Sequence, residues 1–234
     1  MEPQFFDITI AVLLIILTIA LFLVRRYYYS GKRYILLVGL NESGKTLIYS
    51  QLFFQKHVTT YTSSQDNLEK YCANGKEVTV VDVPGFHSIR QRFFEKYRDN
   101  SKGIVYVVDS VTLGKNIRDA AMVLYNILID PAILKNRPEL LILCNKQDQT
   151  TAKGCNIVKY MLEKEINTLR KTQLSQLKQL YGREATTDKL GDSNKDFNFE
   201  NIYCKVNFAE SYAFNKNGSV NLDDLKKWIG KVTN

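Results

Sequence analysis

Histidine is scarce in this chain, with two residues in 234, and the four cysteines, Cys72, Cys144, Cys155 and Cys204, include no C-x-x-C pair. A zinc site needs that clustering and finds no support here. Three of the cysteines lie in or beside apolar runs, where a free thiol behaves as a small buried hydrophobe, as in a reducing compartment such as cytosol. Runs of Arg and Lys with interleaved aromatics are also missing, although the net charge is +8 and the pI near 9.2. No direct nucleic-acid site is expected, and a basic surface beside a membrane is the simpler account. With 45% hydrophobic and 24% charged residues, the balance is that of a globular protein with room for one sizeable domain and appendages.

Charge is absent from Ile8 to Val24, a run of 17 residues that as a helix would span about 26 Å, the core of a thin bilayer. A cleaved signal peptide would need a basic segment before it and a small-residue cleavage site after it, and has neither. Arg25-Arg26 and Lys32-Arg33 follow instead, with Glu2 and Asp7 on the other side. The positive-inside rule therefore predicts residues 1–7 outside the cytosol, a transmembrane helix over 8–24, and a basic, aromatic juxtamembrane linker over 25–33. Tyr27-Tyr28-Tyr29 would sit at headgroup depth, and the short span suits the endoplasmic reticulum. The glycosylation-type triplets at Asn41 and Asn217 then lie on the cytosolic side and stay unmodified.

From residue 34 to 234 the chain alternates strand-like and helix-like patterns. Tyr34–Val38, Glu77–Val83, Gly103–Asp109, Leu140–Cys144 and Tyr203–Phe208 read as strands. Lys45–Gln55, Ile117–Ile129, Asn156–Leu169 and Leu222–Val232 read as helices. Such alternation predicts a doubly wound, mostly parallel α/β sheet. Asn74-Gly75 is a hairpin signal, so one antiparallel edge strand should precede the second apolar strand. Residues 171–201 are rich in Gln, Lys, Thr, Asp and Asn and read as a mobile polar insertion outside the core.

Three motifs carry chemistry. Gly39-Leu40-Asn41-Glu42-Ser43-Gly44-Lys45-Thr46 follows a strand and opens a helix, so its backbone N–H groups can curl around phosphate oxygens at the helix N-terminus. Lys45 would reach the outer phosphates, and the Thr46 hydroxyl would ligate Mg²⁺. Asp82-Val83-Pro84-Gly85 ends the next strong strand; Asp82 can hold the Mg²⁺ through water, and the Gly85 N–H can bond the γ-phosphate. Asn145-Lys146-Gln147-Asp148 closes the strand after that pair. The Asp148 carboxylate can accept two hydrogen bonds from guanine that adenine cannot donate, Asn145 would pin neighbouring loops, and the Lys146 stem could cover the base.

Together these motifs resemble those of the Ras-like GTPase superfamily, nearest its Arf and Sar branch, and so imply the P-loop GTPase fold. The fuller pattern looks like the β-subunit family of the signal recognition particle receptor. The N-terminal apolar span, the three motifs, Ser88-Ile89-Arg90, Val107-Val108-Asp109-Ser110, Leu128-Ile129-Asp130, Cys144 before Asn145, and the stretch from Leu162 to Arg170 carry that likeness over nearly the whole chain. It implies bound GTP and Mg²⁺, an anchor in the endoplasmic-reticulum membrane, and a constant partner, the receptor α subunit, whose N-terminal domain docks on the GTP-bound switch face. It also implies work near the ribosome and translocation channel in co-translational targeting.

For switch I the resemblance selects Thr62 as a ligand of Mg²⁺ and GTP from the hydroxyl-rich run Thr59 to Ser64. For the last guanine loop it selects the backbone of Ala213, with Tyr212 where a smaller residue is usual. One departure bears on mechanism. Ras-like enzymes orient the attacking water with Gln after the D-x-x-G glycine, and this chain has Phe86. His87 is the remaining catalytic candidate, with Arg90 and Arg92 near enough to be considered as arginine fingers. Slow intrinsic hydrolysis follows, with GTP ordering the switches. An Arf- or Sar-like switch enzyme is the alternative, but the charge-free span and the lack of a Met-Gly start point away from it.

Overall fold

Tyr34–Gly39 (β1) is buried on both faces beyond its first residue, which is why its sequence is continuously apolar rather than alternating. Ile35 and Leu37 point into one hydrophobic cluster, and Leu36 and Val38 into another on the opposite side of the sheet. The computed structural model describes residues 10, 13–24, 34–56, 65–181, 190, 195–215 and 217–234. They fall into two units, Met1–Arg33 and Tyr34–Asn234.

In the first unit residues 13–24 are helical and their apolar side chains are exposed. No helix among the described residues is long and apolar enough to cross a membrane. Positions 8, 9, 11 and 12 of the expected span lie outside the described residues, as does the linker 25–33.

The second unit is a six-stranded sheet in the order β2-β3-β1-β4-β5-β6. Its other strands are Asn67–Ala73 (β2), Lys76–Asp82 (β3), Ser101–Asp109 (β4), Glu139–Asn145 (β5) and Val206–Glu210 (β6). Every neighbouring pair is parallel except β2 with β3. That hairpin turns through Asn74 and Gly75, both at positive φ (53° and 76°), the geometry its sequence specifies. The mostly parallel α/β sheet with one antiparallel edge is thus as expected.

Helices cover both faces. Lys45–Phe54 (α1) and Asp223–Thr233 (α6) pack on one side, the latter through Leu225, Trp228, Ile229 and Val232. His87–Arg98 (α2), Leu113–Leu128 (α3), Pro131–Asn136 (α4) and Cys155–Tyr181 (α5) pack on the other. Two of these were not legible as helices. In α2, Phe93, Phe94 and Tyr97 are the buried stripe among charged neighbours, and α4 is a single short turn started by Asp130 capping the N–H groups of Ala132 and Ile133.

The polar stretch 171–201 differs from its reading as an insertion outside the core. α5 runs on to Tyr181, past the expected end at Leu169. Leu190, Phe197 and Phe199 are buried in the larger cluster, and Phe199 stacks edge-on against Phe208 of β6 at 5.4 Å. A few large apolar groups spaced through polar sequence suffice to tie a segment to the core.

Candidate functional site

β1 and β3 end side by side at the centre of the sheet, and the loops leaving them meet. Residues 40–44 curl between β1 and α1, with Glu42 at φ 62° and Gly44 at φ 91°. Gly44 has no room for a side chain, because a Cβ there would lie 2.4 Å from the Asn145 amide nitrogen. Gly85 is pressed as closely from the other side, with its would-be Cβ 2.8 Å from Asn41 Cα and 2.9 Å from Lys45 Nζ. Asn41, Lys45 and Gly85 therefore meet at the N-terminus of α1.

Lys45 is 5% exposed, and its Nζ donates to the Leu40 carbonyl at 2.6 Å and the Ser43 hydroxyl at 3.4 Å. Burial lowers its pKa to about 8; Asp82 opposes that shift and Arg90 adds to it. An ammonium held in so dry a loop is short of negative charge. The N–H groups of the first helical turn point the same way, so the loop has the chemistry of an anion cradle.

Thr46 Oγ1 donates to Asp82 Oδ2 at 2.8 Å, and Asn67 Nδ2 reaches the same oxygen at 3.4 Å. Asp82 is 1% exposed, yet its Oδ1 has no hydrogen-bond partner. Burial raises its pKa, with Thr46, Lys45 and Asn67 pulling it back. A buried carboxylate oxygen without a donor, beside a threonine hydroxyl, is a hard-oxygen pair suited to a cation such as Mg²⁺. Thr62, the third expected metal ligand, lies outside the described residues.

The strand ends of β4 and β5 build the other half of the site. Asp109 and Asn145 are register partners. Asn145 Nδ2 donates to the Ser43 carbonyl at 2.9 Å, and its Oδ1 accepts from Ser211 Oγ at 3.3 Å. One side chain thus ties the phosphate loop to the two loops expected around a base. Lys146, at φ 67°, is drawn to Asp109 by a 2.8 Å ion pair, and Asp109 also accepts from Thr112 Oγ1 and from the Val111 and Thr112 amides. Burial would raise the Asp109 pKa, but the hydrogen bonds from Lys146 and Thr112 hold it below the usual carboxylate value. Asp148 is exposed at the turn that follows. Ala213 is buried in the α1/α6 cluster, and Tyr212 forms a bridge with Asn221, so the last loop is pinned on both sides.

Asp109, Ser211 and Asn67 belong to this network and were not singled out as site residues. Asp109 ends a strand beside Asn145, a signal that the sheet order was needed to expose. Phe86 is 53% exposed at the start of α2, and His87 is exposed next to it. Arg90 is buried, with Nη1 donating to the Gly85 carbonyl at 2.9 Å. It braces the loop from inside, which removes it from the arginine-finger candidates.

The profile described as signal recognition particle receptor beta subunit matches residues 30–206. Human signal recognition particle receptor subunit beta is 37% identical over 237 residues, spanning 99% of this chain and 88% of the human protein. The chain belongs to the signal recognition particle receptor β-subunit family. A solved structure of the mammalian signal recognition particle receptor superposes with a TM-score of 0.74 at 37% identity, covering 86% of this chain and all of that one. The β subunit in a GTP/SRX complex from Chaetomium thermophilum shares the fold at a TM-score of 0.67 and 19% identity, covering 85% and 97%. ADP-ribosylation factor-like proteins of mouse and Chlamydomonas align over only 51% of this β-subunit family member.

Proposed function

We propose that this chain is the GTP-binding, membrane-anchored β subunit that holds the receptor α subunit at the endoplasmic reticulum for co-translational targeting. The observation that carries the nucleotide part is the buried Asp82 carboxylate, with its Oδ1 unpartnered, set between Thr46 and the dry ammonium of Lys45. Gly39 to Thr46 would cradle the phosphates, and the Gly85 N–H would meet the terminal one. Thr46, Asp82 and Thr62 would hold Mg²⁺, which when bound offsets phosphate charge. Asp148 would accept from guanine while Asn145, Lys146 and Ala213 keep the base loops in place. Family membership and the GTP/SRX neighbour support an α-subunit partner; it would dock through its N-terminal domain, near the ribosome and translocation channel.

Residues 8–24 would form the single transmembrane helix, with 1–7 outside the cytosol, 25–33 as linker and 34–234 as the cytosolic GTPase domain. The charge-free run followed by four basic residues supports this topology.

Turnover is secondary in this reading. Phe86 cannot orient water by hydrogen bonding, His87 sits exposed beside it, and Arg90 is committed to Gly85. Bound GTP would order the switch segments into a docking surface rather than drive a cycle. Single-turnover hydrolysis tests this. A rate that stays slow when the α-subunit N-terminal domain is added is expected; rapid turnover on that addition would favour the switch-enzyme alternative.

A further inference from the structure

Seen by charge, the two ends of the sheet differ. The end where β1, β4, β5 and β6 begin lies opposite the phosphate loop, and its turns are basic. Lys76 opens β3, Lys102 is the second residue of β4, Lys135 and Arg137 lead into β5, Lys205 precedes β6, and Lys231 lies in the last turn of α6. Lys76, Lys102, Lys205 and Lys231 are neighbours in space. Lys76 and Lys102 donate to the carbonyls of Asn234 and Thr233 at 2.8 and 2.7 Å, and Lys231 lies 3.4 Å from Glu139 at the start of β5. The Leu140 amide, one residue on, bonds the Lys205 carbonyl at 2.9 Å.

Capping the C-terminus of α6 accounts for one hydrogen bond from each of Lys76 and Lys102. It accounts for neither Lys135 and Arg137, which are exposed, nor Lys205, which is exposed beside Lys231. Like charges crowded at one exposed spot are relieved by an anion. The chain enters the domain at this same end, because Tyr34 begins β1 and its amide bonds the Asn100 carbonyl at 3.2 Å. Only residues 25–33 separate Val24 from Tyr34, and nine residues reach at most about 30 Å. That linker adds Arg25, Arg26, Lys32 and Arg33.

We propose that this basic end of the GTPase domain rests on anionic lipid headgroups, so that the phosphate loop at the opposite end points away from the bilayer. The inference rests on the membrane anchor proposed above. Attraction of this kind falls off within a Debye length of about 8–10 Å, so a short tether is what makes it effective. Orientation then follows from the fold: every loop that carries Gly39–Thr46, Gly85, Asn145 and Asp148 leaves the other end of the sheet and stays open to a cytosolic partner.

The test uses the full chain in nanodiscs of phosphatidylcholine alone and of equimolar phosphatidylcholine and phosphatidylserine. Amine-reactive labelling is followed by mass spectrometry. Labelling of Lys135, Lys205 and Lys231 should slow severalfold in the anionic discs and recover at high salt, while Lys115 at the opposite end is unchanged. A double variant, Lys205→Glu with Lys231→Glu, should lose most of the protection at Lys135 and still bind GTP. Equal labelling in both discs, or undiminished protection at Lys135 in the double variant, overturns the proposal. Protection by added RNA in zwitterionic discs, with none from anionic lipid, would assign the surface to a nucleic acid and overturn it too. A chain that alkaline carbonate strips from the discs would overturn the anchor itself; one that resists stripping but labels equally overturns only the lipid-facing end.

Discussion

Asp148 makes its prediction with one side chain. It is exposed, beside loops that Asn145 and Asp109 hold rigid, and a carboxylate there can accept both guanine donors. Asp148→Asn should weaken GTP binding by about 100-fold and restore affinity for xanthosine triphosphate, because the amide donates where the carboxylate accepted. Competition binding with the two nucleotides measures this, and unchanged GTP preference would mean the base sits elsewhere. Asp109 sets a second test. Its folded-state pKa is depressed, so its ionised form stabilises the fold above the unfolded value of about 3.9, and that contribution is lost as pH falls through the folded value. Asp109→Asn should melt about 2–5 °C lower at neutral pH, with the gap to the wild type closing below about pH 4. Thermal melts across that range check it. The P-loop, Asp82 and Asn145 were legible because their spacing alone places them after strands. Ser211, Asn67 and the bracing role of Arg90 were not, since each depends on which strand lies beside which.

Elements divide along the same line. β1, β4 and β5 are apolar on both faces, and a run of that kind announces itself, as does the Asn74-Gly75 turn. α2 hid its stripe of Phe93, Phe94 and Tyr97 behind arginines and lysines, and the end of α5 hid in polar sequence where hydrophobic spacing gave no stop. The cost of mistaking 171–201 for a detached insertion can be measured. Phe199 is 3% exposed, packed against Phe197 and Phe208. Phe199→Ala should destabilise the domain by about 3–5 kcal/mol, read as a lower urea midpoint with the slope unchanged. A change below about 1 kcal/mol would return the segment to the surface.

For the whole molecule, three properties bear on the proposed function: a candidate nucleotide site at the carboxyl ends of the strands, entry of the chain into the domain at the other end, and an exposed Phe86, unable to hydrogen-bond a water, directly after Gly85. Together they support the proposal that bound GTP serves to shape a surface. Affinity for the α-subunit N-terminal domain, measured by calorimetry on the full chain in detergent with GTP and Mg²⁺, with GDP, and without nucleotide, tests that claim most directly. Tight binding with GTP that falls at least tenfold with GDP or with no nucleotide is the predicted result. Equal affinity in all three states would contradict the account, because the nucleotide would then shape nothing the partner reads.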